Sequence, residues 1–266
     1  MNTARRHSAS YLITHFPLLW RVARTEIRGR YAGSLLGAGW AFLTPLLTLV
    51  IYAVVYSVIF KIRVPGLSTA QYVVYIFSGL VPYLMTSEAV SGGVSSVVSS
   101  KSVWTNTVFP VDLAPAKAVL ISQVPMAVGM TLILVMLLGL GALPWTAILL
   151  PVIWILHVCA LLGLLWTLAL LNLVFRDLQA VMGLALMLLL IASPIAYTPE
   201  MVPPRLQIFL LLNPFAYFVR AYQHILVLGR LPDGLTIGVV SGGSLLLFLA
   251  GGRFFARAKT ALLDYV

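Results

Sequence analysis

Charge is what this sequence has least of. Only 9% of its 266 residues are charged, the carboxylates number seven, and one cysteine is present. Cys159 alone cannot close a disulfide within the chain, so no disulfide framework holds the fold. An ordinary soluble domain is about 25% charged and about 45 to 50% apolar. Here 61% is hydrophobic and the mean hydropathy is +1.03. So little polar surface could not cover a water-soluble globule. The chain therefore reads as an integral membrane protein of long apolar helices, not a barrel, whose strands would alternate apolar and polar residues.

Reactive constellations are missing as well. There is no H-E-x-x-H, no Cys/His spacing suited to a metal, no G-x-S-x-G and no phosphate-binding G-x-x-x-x-G-K-[ST]. The expectation is a chain that is not an enzyme, holds no metal and binds no cofactor of its own. If ATP drives it, the ATPase is a separate chain. Nor does a cleaved signal peptide fit: Arg5 and Arg6 precede no uninterrupted apolar core within the first thirty residues.

What is present is a series of apolar runs of roughly 20 residues, the length that crosses about 30 Å of hydrocarbon. They fall at Trp40 to Phe60, Tyr72 to Val90, Val119 to Leu140, Trp145 to Leu171, Leu178 to Ala196 and Leu235 to Phe255. Pro82 and Pro125 interrupt two of them, which membrane helices tolerate when neighbours satisfy the freed backbone groups. No internal repeat is visible. Six spans are few for a transporter made of two inverted halves, so a homodimer is expected.

The net charge of +10 is first a topology signal, because Lys and Arg gather on the cytoplasmic side. With the N-terminus inside, twelve of the seventeen basic residues lie on that side, and Lys61, Arg63, Arg205, Arg220 and Arg230 lie opposite. This places both termini in the cytoplasm and explains the positive charge without nucleic acid.

Three segments outside the spans are not ordinary loops. Phe16, Leu19, Trp20, Ala23, Ile27 and Tyr31 recur at helical steps, with arginines at other positions and Pro17 in the first turn. This predicts an amphipathic helix on the cytoplasmic membrane face. Ser91 to Pro115 is too polar to span comfortably and fits a short cytoplasmic helix carrying Lys101, Trp104, Asn106 and Phe109. Between Pro194 and Leu231 the apolar run Leu206 to Leu212, set among Pro199, Pro203, Pro204 and Pro214, is too short to cross and reads as a re-entrant or interfacial hairpin on the outer face.

Ionisable residues inside spans mark function because each is costly there. His157 and Glu88 alone qualify, which is a poor relay for a proton-coupled carrier. His157 reads as a hydrogen-bonded packing or interfacial residue, and Glu88 as a partner to Arg28 and Arg30 or as a gating group. The remaining polar information is phenolic: Tyr52 and Tyr56 stand one turn apart on the first span, with Tyr75 and Tyr83 on the second. A mid-span phenol needs a partner or water. The four either line an aqueous path or pack between helices.

Taken in order, these residues resemble a family. Arg28, Arg30, Tyr31, Ser34, Leu36, Gly37, Trp40 and Pro45 resemble the R-x-R-Y-x-x-S-x-L-G-x-x-W-x-x-x-x-P stretch of ABC-2 type polysaccharide exporter permeases. Ser78-Gly79-Leu80 with Pro82, Ser87-Glu88-Ala89, Phe109-Pro110, Asn172 with Phe175-Arg176-Asp177, Pro194, Tyr197, Glu200-Met201-Val202-Pro203 and Leu212-Asn213-Pro214 are similar to further landmarks of that family. The likeness runs from about Leu18 to Gly229 and on through the last span. It departs at the short stub from Ala258 to Val266, where some members carry a longer tail.

The resemblance implies an all-α fold of six transmembrane helices plus an N-terminal amphipathic interfacial helix, a short cytoplasmic coupling helix and periplasmic re-entrant gate helices. Residues 1–38 would form the N-terminal segment, 39–258 the transmembrane domain and 259–266 a cytoplasmic tail. It implies the permease of an ATP-driven exporter in the bacterial inner membrane, a homodimer working with two copies of an ATPase that binds ATP and Mg²⁺, and a lipid-linked, O-antigen-like glycan as substrate. Lys101, Trp104, Asn106 and Phe109 would couple to the ATPase, and Tyr197, Glu200, Pro203 and Asn213 would belong to the periplasmic gate. Arg28, Arg30, Glu88, Arg176 and Asp177 would be gating or interface positions. Two other classes stay open on the residues alone: an exporter of similar build for a drug or simple lipid, and a membrane scaffold without transport.

Overall fold

The computed structural model describes residues 12, 14–30, 32–100 and 110–263, and among these the regular structure is entirely helical. Helix α1, Phe16–Arg30, carries the amphipathic pattern, with Leu19 and Ala23 turned inward and Phe16 and Trp20 exposed. Helix α2 runs from Trp40 and ends in a wider π turn at Ile59. Helix α3, Thr69–Gly93, starts a turn before the apolar run because Ser68 caps it. Its hydroxyl accepts from the Gln71 amide while the Gln71 side chain accepts from the Ser68 amide. Helices α4, Leu113–Gly139, and α5, Leu150–Val174, follow.

Helix α6, Leu178–Ala192, is shorter than its apolar run. Pro194 disfavours helical backbone at Ser193, which is extended at ψ 143°. Fifteen residues rise about 22 Å, less than the hydrocarbon thickness. The chain then passes through two short turns, a small helix α7, Gln207–Leu212, and helix α8, Pro214–Gln223. Asn213 starts α8, accepting from the amides of Phe215 and Ala216. The last rod, α9, joins Gly234–Gly238, a π turn and Ser244–Leu263, with Asp233 as its cap.

Five of these rods, Trp40–Ile59, Thr69–Gly93, Leu113–Gly139, Trp145–Val174 and Gly234–Lys259, are long and apolar enough to cross a membrane. The chain is therefore a multi-pass, all-helical membrane protein. Helix α3 is its axis: 78% of its most apolar stretch is buried, against 11% for α2. It packs on α4 and receives α8 across its middle, where Gly79 lies against Val219 and Tyr83 meets Phe215. Helices α5 and α9 meet most closely. A Cβ at Gly163 would overlap the Leu247 carbonyl, and one at Gly251 would overlap the Gly163 carbonyl, so backbone lies on backbone.

Candidate functional site

At one end of the bundle α1 is tied down by charge. Arg30 pairs with Glu88 near the end of α3 and lies 3.7 Å from Glu26, while Lys117 of α4 reaches Glu26 at 2.7 Å. Glu88 thus meets Arg30, whereas Arg28 is exposed. At the same end Lys259 of α9 bonds the buried Asp112, whose carbonyl accepts from the Trp166 indole. The coupling candidates Lys101, Trp104, Asn106 and Phe109 lie outside the described residues, just before this junction. Arg176 and Asp177 sit exposed at the turn between α5 and α6.

In the bundle's middle the phenols divide. Tyr83 is buried and donates to the Leu186 carbonyl of α6 at 3.1 Å. Tyr72 and Tyr75 are buried and stacked, their centroids 6.4 Å apart, and donate to the carbonyls of Ala196 and Tyr197. Tyr52 and Tyr56 differ: they are half-buried, 5.9 Å apart, and neither hydroxyl is hydrogen-bonded among the described residues. They stand on the face of the chain's least covered span.

Beyond α6 the irregular stretch Ser193 to Ala196 is buried, which in a membrane protein requires that protein groups satisfy its carbonyls. Gln223 donates to the carbonyls of Pro194 and Ile195 at 2.9 and 3.1 Å, Asn213 donates to the Ser193 hydroxyl at 2.9 Å, and Tyr72 and Tyr75 cover the next two carbonyls. Asn213 thereby holds both the hairpin and the start of α8. Tyr197 is half-buried and donates to the Ile191 carbonyl, while Glu200 and Pro203 are exposed on the turns. His157 is buried, stacked 4.2 Å from Phe218, with Nε2 3.0 Å from the Thr86 hydroxyl, so it packs α5 against α3 and α8.

A cavity of about 280 Å³ opens behind the hairpin, lined by Tyr75, Glu200, Arg220, His224, Arg230 and Asp233 among others. Arg220 pairs with Asp233 at 2.8 Å. Burial, then the two guanidinium groups, lower His224 to about 4. The Thr198 hydroxyl and the Glu200 amide hold the Glu200 carboxyl below the usual carboxylate range. Gln223, Asp112 and this cavity were not among the sequence candidates. The one signal for Gln223 was an amide on an apolar face, which must find partners when buried.

The sequence profile of the ABC-2 type transporter family matches residues 17–227. The chain belongs to that family. Its similarity to curated relatives extends nearly end to end. It is 29% identical over 245 residues to the O-antigen export system permease protein RfbA of Myxococcus xanthus, covering 91% of this chain and 92% of that one. The RfbA protein of Klebsiella pneumoniae is 26% identical over 264 residues, 97% of each chain. The polysialic acid transport protein KpsM of Escherichia coli is 23% identical over 240 residues, 90% of this chain and 92% of the other. Within the ABC-2 frame the tied-down α1, the buried hairpin and the bundle around α3 all fall inside or beside the matched stretch.

Proposed function

We propose that this ABC-2 chain is the permease subunit of an ATP-driven exporter that carries a lipid-linked polysaccharide, an O-antigen-like glycan, from the cytoplasm across the bacterial inner membrane. The observation that carries the proposal is the end-to-end likeness to O-antigen export permeases, with 92% of the Myxococcus relative covered. The structure adds support of a physical kind. A glycan offers apolar C–H faces to aromatic rings and hydroxyls to phenols, so half-buried Tyr52 and Tyr56 suit a sequence-tolerant path better than charges would.

Two copies work together, with the uncovered faces of α2 and α6 turned toward the partner copy, and two ATPase subunits bind ATP and Mg²⁺ below. The end bearing Arg30, Glu88, Asp112 and Lys259 faces the cytoplasm, with both termini there. Lys101 to Phe109 engages the ATPase, and the hairpin bearing Tyr197, Glu200, Pro203 and Asn213 forms the outer gate.

Depletion of the chain tests the reading. Mass spectrometry should then find lipid-linked glycan accumulating in the cytoplasmic leaflet while surface polymer disappears. Undiminished surface polymer in depleted cells overturns it.

A further inference from the structure

We propose that the cavity bounded by Tyr75, Glu200, Arg220, His224, Arg230 and Asp233 is a glycan subsite, holding a sugar unit of the polymer at the outer end of the phenolic path. The proposal rests on the reading of the chain as a polysaccharide exporter and adds a place where the substrate is held.

The chemistry of the walls selects the ligand class. Two guanidinium groups face two carboxylates, and the imidazole is neutral, so the lining carries no net charge. Such a lining attracts neither an anion nor a cation strongly, yet it offers donors and acceptors together. Vicinal hydroxyls, each donor and acceptor at once, are the groups it matches. Arg220 is engaged by Asp233, whereas Glu200 and Arg230 line the cavity without an ion pair between them. Beyond the Thr198 hydroxyl and its own amide, the Glu200 carboxylate keeps acceptor sites, and Arg230 offers donors, to a guest between them. The His224 Nδ1 adds a further buried polar atom, without a hydrogen-bond partner among the described residues. Tyr75 supplies a ring at the wall, and a volume of about 280 Å³ exceeds the roughly 30 Å³ share of a water molecule many times over.

The place is equally specific. Tyr56 packs against the buried cluster that holds Tyr72 and Tyr75, and Tyr72 stacks on Tyr75 at the cavity wall. The aromatic row thus leads from the half-buried tyrosines of α2 to this cavity. Asp233 also caps α9, accepting from the Thr236 amide and hydroxyl. A sugar competing for Arg220 is felt at the start of the last span.

The test uses the permease purified with its ATPase in phosphatidylethanolamine nanodiscs, and short oligosaccharides prepared from the strain's own surface polymer. Saturation-transfer NMR should detect the oligosaccharide on the wild-type complex. Glu200→Gln with Arg230→Gln should weaken binding about tenfold, as expected for lost hydrogen bonds to charged groups. Arg63→Gln, an exposed arginine outside the cavity, should leave it unchanged. Arg230→Gln alone guards against misfolding, since that side chain is exposed. Unaltered affinity in both variants, absence of transfer to the wild-type complex, or displacement of the oligosaccharide by inorganic phosphate overturns the subsite. If depletion abolishes surface polymer while any of these results is found, the subsite falls and the exporter stands. If depletion leaves surface polymer intact, the exporter reading itself falls.

Discussion

Lys259 donates to both carboxylate oxygens of Asp112, at 3.0 and 2.8 Å, across 147 residues of chain. The pair joins the C-terminal end of α9 to the residue that precedes α4, and the Trp166 indole fastens the same residue from α5. Three spans therefore converge on the exit of the segment proposed to meet the ATPase. If that segment meets the ATPase as proposed, a push on it would reach α4, α5 and α9 together.

Removing one partner should cost more than removing both. Lys259→Met leaves a carboxylate that is only 7% exposed without its cation, at an expected loss of about 1 to 3 kcal/mol. Asp112→Asn combined with Lys259→Met should recover part of it. Thermal unfolding of the purified permease in detergent measures both. A double variant no more stable than Lys259→Met alone would show that the orphaned carboxylate is not what costs.

Reversing Glu88 to Arg should release α1, because Arg30 then faces a like charge. The pair is about a third exposed, so the change in global stability should stay near 1 kcal/mol or below. Limited proteolysis between Arg21 and Arg30 should nevertheless accelerate. The combined Glu88→Arg and Arg30→Glu variant should return cleavage toward wild type. Glu26 lies beside both Arg30 and Lys117, so the return should be partial.

The α5 and α9 contact depends on hydrogen where other residues carry a carbon. Gly163→Ala should destabilise the protein by about 1 to 3 kcal/mol, the usual cost of overpacking, and lower its membrane abundance. Gly183→Ala, at a glycine with open space around it, is the matched control. Quantitative immunoblotting of membranes compares them.

Tyr52→Ala with Tyr56→Ala separates path from packing. Both side chains are half-buried and their hydroxyls have no partner among the described residues, so their loss should leave abundance and ATPase binding near wild type while surface polymer falls. Removal of fully buried aromatics costs about 3 to 5 kcal/mol, and Tyr83→Ala, which strips a buried ring from α3, should show that loss of protein instead. Normal export by the double variant at normal abundance would remove these residues from the path.

The Asp233 carboxyl should make the start of α9 sensitive to acid. Burial by itself raises it, but the Thr236 hydroxyl and amide and then Arg220 outweigh that effect and hold it below its ordinary range. A carboxyl depressed in the folded state contributes stability above its unfolded value, and that contribution is lost as pH falls through the folded one. Wild type should therefore lose stability on acidification more steeply than Asp233→Asn. Parallel acid profiles of thermal unfolding would exclude the contribution.

Much of this was legible in the residues because burial in lipid leaves a coarse signature. Runs of about 20 apolar residues located the spans, and the three- and four-residue steps from Phe16 to Ile27 located α1. The end of α6 was misjudged by several residues, since hydropathy continues through Ile195 and Ala196 while Pro194 stops the helix. Pairings across the fold were less visible. Glu88 had two arginines within reach of the argument, and only contact chose Arg30. Tyr75 and Tyr52 look alike as phenols in apolar runs, yet one bonds a hairpin more than a hundred residues away and the other stands at the edge. The cavity behind the hairpin joins α3, the turn at Glu200, α8 and the loop before α9, and no local pattern announces a meeting of four separate segments.

The backbone contact at Gly163 and Gly251 also sets an order of events. Helix α5 enters the membrane with a bare seam at Gly163, and the strip that fills it, from Leu247 to Gly251, is made some 80 residues later. Until then the seam admits lipid tails or other apolar chains. The last rod displaces them as it docks, so a ribosome that stops before Gly234 releases a product whose flaw is an unfilled seam in mid-bilayer. The final helix is in this sense the piece that completes the α5 face.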